Sequence, residues 1–156
     1  MSRAVEFGLM HGTTRAEESI HRAKLAETLG FSSYWVLEDC AFPGAFSTCS
    51  AIACQTKRIK IGIGVLNPYT RHPVLTAMEF AALDQLSSGR GILGIGAGVK
   101  LWIEDQLGIP YTRPVTAVRE MVAIAARCFA ARSWRTPAAY STHPVCGSAL
   151  NPSDPR

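Results

Sequence analysis

Residues 59–98, IKIGIGVLNPYTRHPVLTAMEFAALDQLSSGRGILGIGAG, constrain the fold more than any other stretch, because two short apolar runs flank one segment of helical spacing. The first run, 59–65, is β-branched and broken by glycines, as expected of a strand covered on both faces. A loop with two prolines follows, and Pro73 sits where the first turn of a helix tolerates a missing N–H. Over 74–86 the apolar positions Ala77, Met78, Ala81, Ala82 and Leu86 fall near helical spacing, while Glu79, Asp84 and Gln85 fall elsewhere. Ser87-Ser88-Gly89 should end this helix, since glycine is common just past a helix end. Residues 91–96 then form a second strand. Two apolar strands joined by a helix pair in parallel through a crossover that is nearly always right-handed, so the stretch reads as a βαβ unit.

The rest of the chain repeats the pattern. Residues 5–10, VEFGLM, read as a first strand; Thr13 or Thr14 is the expected cap of the next helix, with Glu17 at capping-box spacing from Thr14 and Gly30 at the far end. Residues 31–37 supply a second strand that delivers Glu38-Asp39-Cys40 at its C-terminal end. A turn over 42–46, a helix over 47–56, a short helix over 99–108 and a longer one over 115–129 complete four β/α repeats. This order implies an α/β protein with a parallel sheet, either an open doubly wound sheet or part of a barrel. In both, ligands sit beyond the C-terminal strand ends. Four sets of residues fall there: His11 with Gly12, Glu38 with Asp39, 64–67, and Gly96-Ala97-Gly98.

Bulk properties narrow the class. A chain of 156 residues that is 47% hydrophobic and 18% charged is one globular domain's worth. The net charge of +4 comes from scattered Lys and Arg rather than a clustered basic face, which argues against nucleic acid as a partner. No apolar run approaches the roughly 20 residues of a membrane span, and no signal-type apolar core follows the first residues, so the cytoplasm is the expected location. The five cysteines at 40, 49, 54, 128 and 146 show neither a CxxC pair nor zinc spacing, and no metal is expected. They fit reduced thiols that pack as small apolar groups.

The segments GIGVLNPYTRHP (62–73), LDQLSSGRGILGIGAG (83–98) and LGIP (107–110) together resemble the luciferase-like monooxygenase family, and particularly its coenzyme F420-dependent branch. The resemblance runs from about residue 5 to 127. It implies a (β/α)8 barrel, a fold of ~250 residues of which this chain holds the N-terminal half. It also implies an oxidoreductase passing hydride between reduced F420 and a small organic substrate, with an FMN-dependent monooxygenase as the alternative.

In the family's pattern Gly64-Val65 matches the position where a bulge, often with a non-proline cis peptide, backs the flavin or deazaflavin ring. Asn67 either donates to a ring carbonyl or caps its own loop. Gly96, Ala97 and Gly98 let backbone approach the ring or its ribityl chain. Asp39 resembles a site residue, and either Glu38 or Asp39 is the expected acid or base. Cys40 stands where several members carry histidine, and Val99 where some carry aspartate. Arg71 and His72 brace the loop in the family rather than react.

From Cys128 onward the sequence fills with Pro, Ser, Ala and Arg. An irregular tail over 128–156 is the plain expectation. The sharper one is a change of reading frame near 126–128, since a shifted frame permits the strings Leu-Leu-Arg-Gly-Glu-Glu-Leu and His-Pro-Gly-Arg-Val-Phe, which resemble the family's continuation. Half a barrel leaves two sheet edges unpaired, which favours a homo-oligomer in which a second copy covers them, or a chain that catalyses nothing by itself.

Overall fold

A computed structural model describes residues 5–12 and 15–131. Four strands alternate with four helices: β1 (Gly8–His11), α1 (Ala16–Thr28), β2 (Ser33–Val36), α2 (Ala45–Gln55), β3 (Lys60–Leu66), α3 (Pro73–Leu86), β4 (Gly91–Ile95) and α4 (Pro114–Ala130), with a π-helix, Leu101–Gln106, before α4. The sheet runs β1-β2-β3-β4 and every pairing is parallel. That order separates the two architectures the sequence left open. A doubly wound sheet reverses direction at a switch point, whereas these strands follow one another in chain order, as in a barrel. Helices α1 and α2, α2 and α3, and α3 and α4 pack on one another in turn.

The helix-facing side of the sheet is the core. Tyr34 and Val36 of β2 and Ile61 and Ile63 of β3 alternate onto it and pack with Ala23, Ala26, Cys49 and Ile52. Ala77, Ala125 and Cys128 form a second cluster between α3 and α4, where Phe80 meets Phe129 edge-on at 5.7 Å. Helix α4 therefore runs through Cys128, past the residue at which the sequence pattern set the domain boundary. The tail over 132–156 lies outside the described residues.

Several boundaries differ from the sequence reading for physical reasons. The first strand is shorter and later than 5–10: among the described residues it pairs only with β2, and that ladder starts at Gly8↔Ser33. Thr13 and Thr14 lie outside the described residues; α1 starts at Ala16 with Arg15 at its cap position, which makes no side-chain cap bond. The short helix over 99–108 is a π-helix, a distinction of hydrogen-bond register that apolar spacing does not carry. Helix α3 starts as its loop implies, with His72 Nδ1 accepting from Val74 N (3.3 Å) and Pro73 in the first turn. It ends at Ser88-Gly89, both with positive φ, where Gly89 N donates to Asp84 O (2.8 Å).

Two polar clasps hold the N-terminal end of the sheet. All five guanidinium N–H bonds of Arg90, just before β4, are used: Nε to Ser87 O, Nη1 to Thr56 Oγ1 and Ile59 O, and Nη2 to Ala53 O and Thr56 O. The cation thereby caps the C-terminus of α2, where the helix dipole favours positive charge. Glu27 Oε1 accepts from three successive amides ahead of β3, those of Lys57, Arg58 and Ile59, at 2.6–2.9 Å.

Candidate functional site

The C-terminal strand ends are built differently. β3 runs into Gly64-Val65, whose peptide bond is cis, and the β3–β4 register shifts between Ile63 and Leu66. Val65 is 43% exposed and lies against Gly96, where a Cβ would come within 2.8 Å of Val65 Cγ2. Gly98 has φ +74°, and a Cβ there would meet Ile103 Cδ1 at 2.6 Å and Asn67 Cβ at 3.1 Å. Both the conformation and the crowding call for glycine. Gly64, Val65, Asn67, Gly96, Ala97 and Gly98 thus converge on one small-residue surface at the ends of β3 and β4.

Asn67 Oδ1 accepts from Tyr69 N (3.1 Å), Thr70 N (3.0 Å) and Thr70 Oγ1 (3.1 Å), an Asx-type cap of its own loop. Its amide NH2 makes no bond within the described residues, which leaves two N–H donors beside Gly98. The loop cap is therefore made by the oxygen alone, and the amide nitrogen takes no part in it. Tyr69 stacks on Tyr111 at 4.8 Å and its hydroxyl donates to Thr112 O (2.8 Å), tying this loop to the segment after the π-helix.

The two carboxylates after β2 have separate fates. Glu38 is mostly buried; Oε1 accepts from Arg71 Nε (2.7 Å) and Oε2 from Ala45 N (2.8 Å) at the start of α2. Arg71 also reaches Glu79 (2.6 Å) and lies over the Phe46 ring at 5.1 Å. Both Glu38 oxygens are thus engaged in joining the β2 and β3 loops to α2 and α3. Asp39 Oδ1 accepts from Ala41 N (3.0 Å) and Cys40 Sγ (3.3 Å), while Oδ2 makes no bond within the described residues. Cys40 Sγ also lies 3.8 Å from Gln106 Oε1 of the π-helix, so that helix reaches over to the β2 loop. The hydrogen bond to Asp39 pushes the Cys40 thiol upward, and burial pushes Cys49 up to about 12, so both are neutral at physiological pH. His11 closes β1 and lines a small cavity with Gly12, Ser19, Phe42 and Thr48.

Trp35 is a site neighbour that sequence reasoning missed. It lies on the face of the sheet away from the helices, its ring against Gly62 and Gly64. The available signal was glycine at period two on β3, which marks a face where something bulky approaches. Among the described residues no cluster of three or more His, Cys, Asp or Glu could hold a metal, and no helix is long and apolar enough to cross a membrane.

Four sequential parallel β/α repeats, with a register shift at the C-terminal end of β3, define the N-terminal half of a (β/α)8 barrel. The luciferase-like monooxygenase family model matches residues 3–147, and the chain belongs to that family. A 5,10-methylenetetrahydromethanopterin reductase of Methanolobus tindarius is 40% identical over 103 residues, covering 66% of this chain and 31% of the relative. The structure of the coenzyme F420-dependent tetrahydromethanopterin reductase of Methanopyrus kandleri superposes with a TM-score of 0.75 at 31% identity, over 80% of this chain and 40% of that one. The oxygenating constituent of 3,6-diketocamphane monooxygenase of Pseudomonas putida, a type II Baeyer–Villiger monooxygenase in complex with FMN, gives 0.70 at 28% identity, over 79% and 39%. The chain therefore spans well under half the length of these relatives, which include both F420- and FMN-binding enzymes.

Proposed function

We propose that this chain carries the ring-binding half of an F420-dependent oxidoreductase that acts on a small organic molecule. The observation that carries ring binding is the surface made by Gly64-Val65, Asn67 and Gly96-Ala97-Gly98, and the choice of F420 rests on the similarity to the reductases. It is built of small residues, apolar at Val65, and has the unbonded NH2 group of Asn67 at its edge. Such a surface fits a planar heteroaromatic ring with a carbonyl at its rim. When bound, F420 would supply hydride chemistry. The chain's own residues do the rest: Gly96 and Gly98 admit the ring plane, Asn67 Nδ2 orients it, and Val65 keeps water from one side. Asp39 Oδ2 is the open carboxylate oxygen and takes or returns a proton on the substrate; Glu38 and Arg71 hold the two loops in register.

An FMN-dependent monooxygenase is the second reading, favoured by the similarity to the FMN complex. Nothing in the small-residue surface distinguishes one ring from the other. A third reading, of a half barrel that binds weakly or catalyses nothing alone, is favoured by the outer edges of β1 and β4, which are unpaired among the described residues, and by exposed Val5, Phe7, Leu29 and Val115. A homo-oligomer in which β4 of one copy pairs with β1 of the next would cover those edges. A change of reading frame near 126–128 would belong to the same reading, the family model's match through residue 147 speaks against it, and sequencing the coding DNA across codons 126–141 tests it.

Titration of F420, and separately of FMN, into the purified chain tests the function, with light scattering on the same samples. Saturable binding that favours F420 supports the first reading and FMN preference supports the second. A folded chain that binds neither ring would sink both.

A further inference from the structure

One large aromatic side chain dominates the inner face of the sheet. Trp35, Gly62 and Ile92 lie at matching register on β2, β3 and β4, with Met10 opposite Trp35 on β1. A Cβ on Gly62 would overlap the indole at Cδ2, Cε2 and Cε3. One on Gly64 would come within 3.1 Å of Cε3 and of Met10 Cε, and one on Gly94 within 3.5 Å of Cζ3. The indole therefore reaches from its own strand across β3 to β4, filling space that three glycines leave open.

Its orientation is fixed. Nε1 donates to Ser33 Oγ (3.0 Å), two residues toward the N-terminal end of β2, and faces Gly8 on β1. The opposite edge, Cε3 and Cζ3, points along β3 to Gly64, the first residue of the small-residue surface. The polar edge of the ring is thus directed away from the strand ends and its hydrocarbon edge toward them. Met10, 53% exposed, sets its methyl beside Gly64 as well, within 3.1 Å of where a Cβ would stand.

We propose that Trp35, with Met10 beside it, is the positioning floor of the ring site. Its benzo edge sets how deep a planar heteroaromatic ring settles against Gly64-Val65 and keeps water from beneath it. The proposal rests on the ring-binding reading above and adds a residue outside it. Trp35 acts through packing alone: it directs no hydrogen-bonding group to the ring, so it affects affinity and solvent access rather than proton transfer. Its length matters because no neighbouring inner-face side chain on β3 can replace it.

The test uses the full chain with F420 as probe, reading ring affinity by fluorescence anisotropy and solvent access by iodide quenching of the bound ring at saturation. Trp35→Ala should weaken binding about tenfold, the scale of one lost aromatic contact, and bring iodide quenching close to that of free F420. Trp35→Phe should restore most of both, and stands in as the test, by a smaller shift in the same direction, if the alanine variant does not fold. Loss of thermal stability alone moves neither readout at saturation. Folded variants with wild-type affinity and wild-type quenching would overturn the floor while leaving the ring site intact. A folded wild-type chain that binds no ring would overturn both, so the two failures are told apart by the wild-type titration.

Discussion

At the N-terminal end of the sheet all five N–H bonds of Arg90 are used, four of them on backbone carbonyls, whereas at the C-terminal end Asn67 and Asp39 each keep one atom without a partner among the described residues; Glu27 stands between the two, with Oε1 on three amides and Oε2 without a bond among those residues. Polar and charged side chains occur at both ends. What differs is how completely the fold engages Arg90 on the one side and Asn67 and Asp39 on the other. Buried polar groups that are fully bonded stabilise one arrangement, while an open donor or acceptor at a strand end is available to a ligand. This division is the one expected of β/α barrels, where the N-terminal face serves stability and the C-terminal face chemistry. Glu38 shows that the rule works by bonding rather than by position. It stands at the C-terminal end, yet both its oxygens are engaged as on the opposite side.

Removing Arg90 should give the largest effect. Arg90→Ala leaves the carbonyls of Ala53, Thr56 and Ile59 without their donors, and charged hydrogen bonds of this kind are worth a few kcal/mol together. A loss of about 3 kcal/mol in urea unfolding is expected, with ring affinity of the folded protein unchanged. A substantial loss of affinity in folded Arg90→Ala would break the division between the ends.

Gly98→Ala comes next, because it forces a side chain into a left-handed conformation and against Ile103. The conformational part costs roughly 1–2 kcal/mol, and the displaced Asn67 should weaken F420 binding too. An alanine variant with unchanged binding would remove Gly98 from the site.

Asn67 sharpens the comparison within one residue. Asn67→Asp keeps the oxygen that caps the loop and loses the amide donor, so stability should hold while ring affinity falls. Asn67→Ala should lose both, with about 1 kcal/mol from the cap. Thermal melts and titrations on both variants decide it: an Asn67→Asp protein that binds the ring as tightly as the wild type would show that the amide plays no part.

The smallest effect concerns pH. Burial acts to raise the Glu27 carboxyl, but the amides of Ile59, Arg58 and Lys57 outweigh it and lower it below the ordinary 4.5. A carboxyl lowered by folding contributes stability that is present above its unfolded value and is lost as pH falls through the folded one. Urea midpoints should therefore drop between about pH 5 and 3 in the wild type, and drop less in Glu27→Gln. Parallel pH profiles would contradict the clasp.

Much of this architecture was legible locally. The βαβ unit over 59–98 follows from apolar period and from Pro73 and Gly89, and β3, α3 and β4 lie within a residue or so of their expected limits. The strand ends that deliver 64–67 and 96–98 follow with them. What the sequence did not show depends on partners far along the chain. Glu38 reads as a free strand-end carboxylate until Arg71, 33 residues on, is seen against it. Nothing in the sequence marks Glu27 or Arg90 as clasps, because the amides and carbonyls they bind belong to other elements. Trp35 reads as one more apolar strand residue, since only parallel register places it over Gly62. The choice between open sheet and barrel was likewise a matter of strand order, which no local pattern encodes.

Hydrogen–deuterium exchange with and without F420 tests most directly the claim that ligand chemistry belongs to the C-terminal strand ends. Peptides covering 62–70 and 94–99 should exchange more slowly with F420 bound, while those covering 24–28 and 56–60 stay unchanged. Protection confined to the N-terminal end, or none anywhere at saturating F420, would contradict the account.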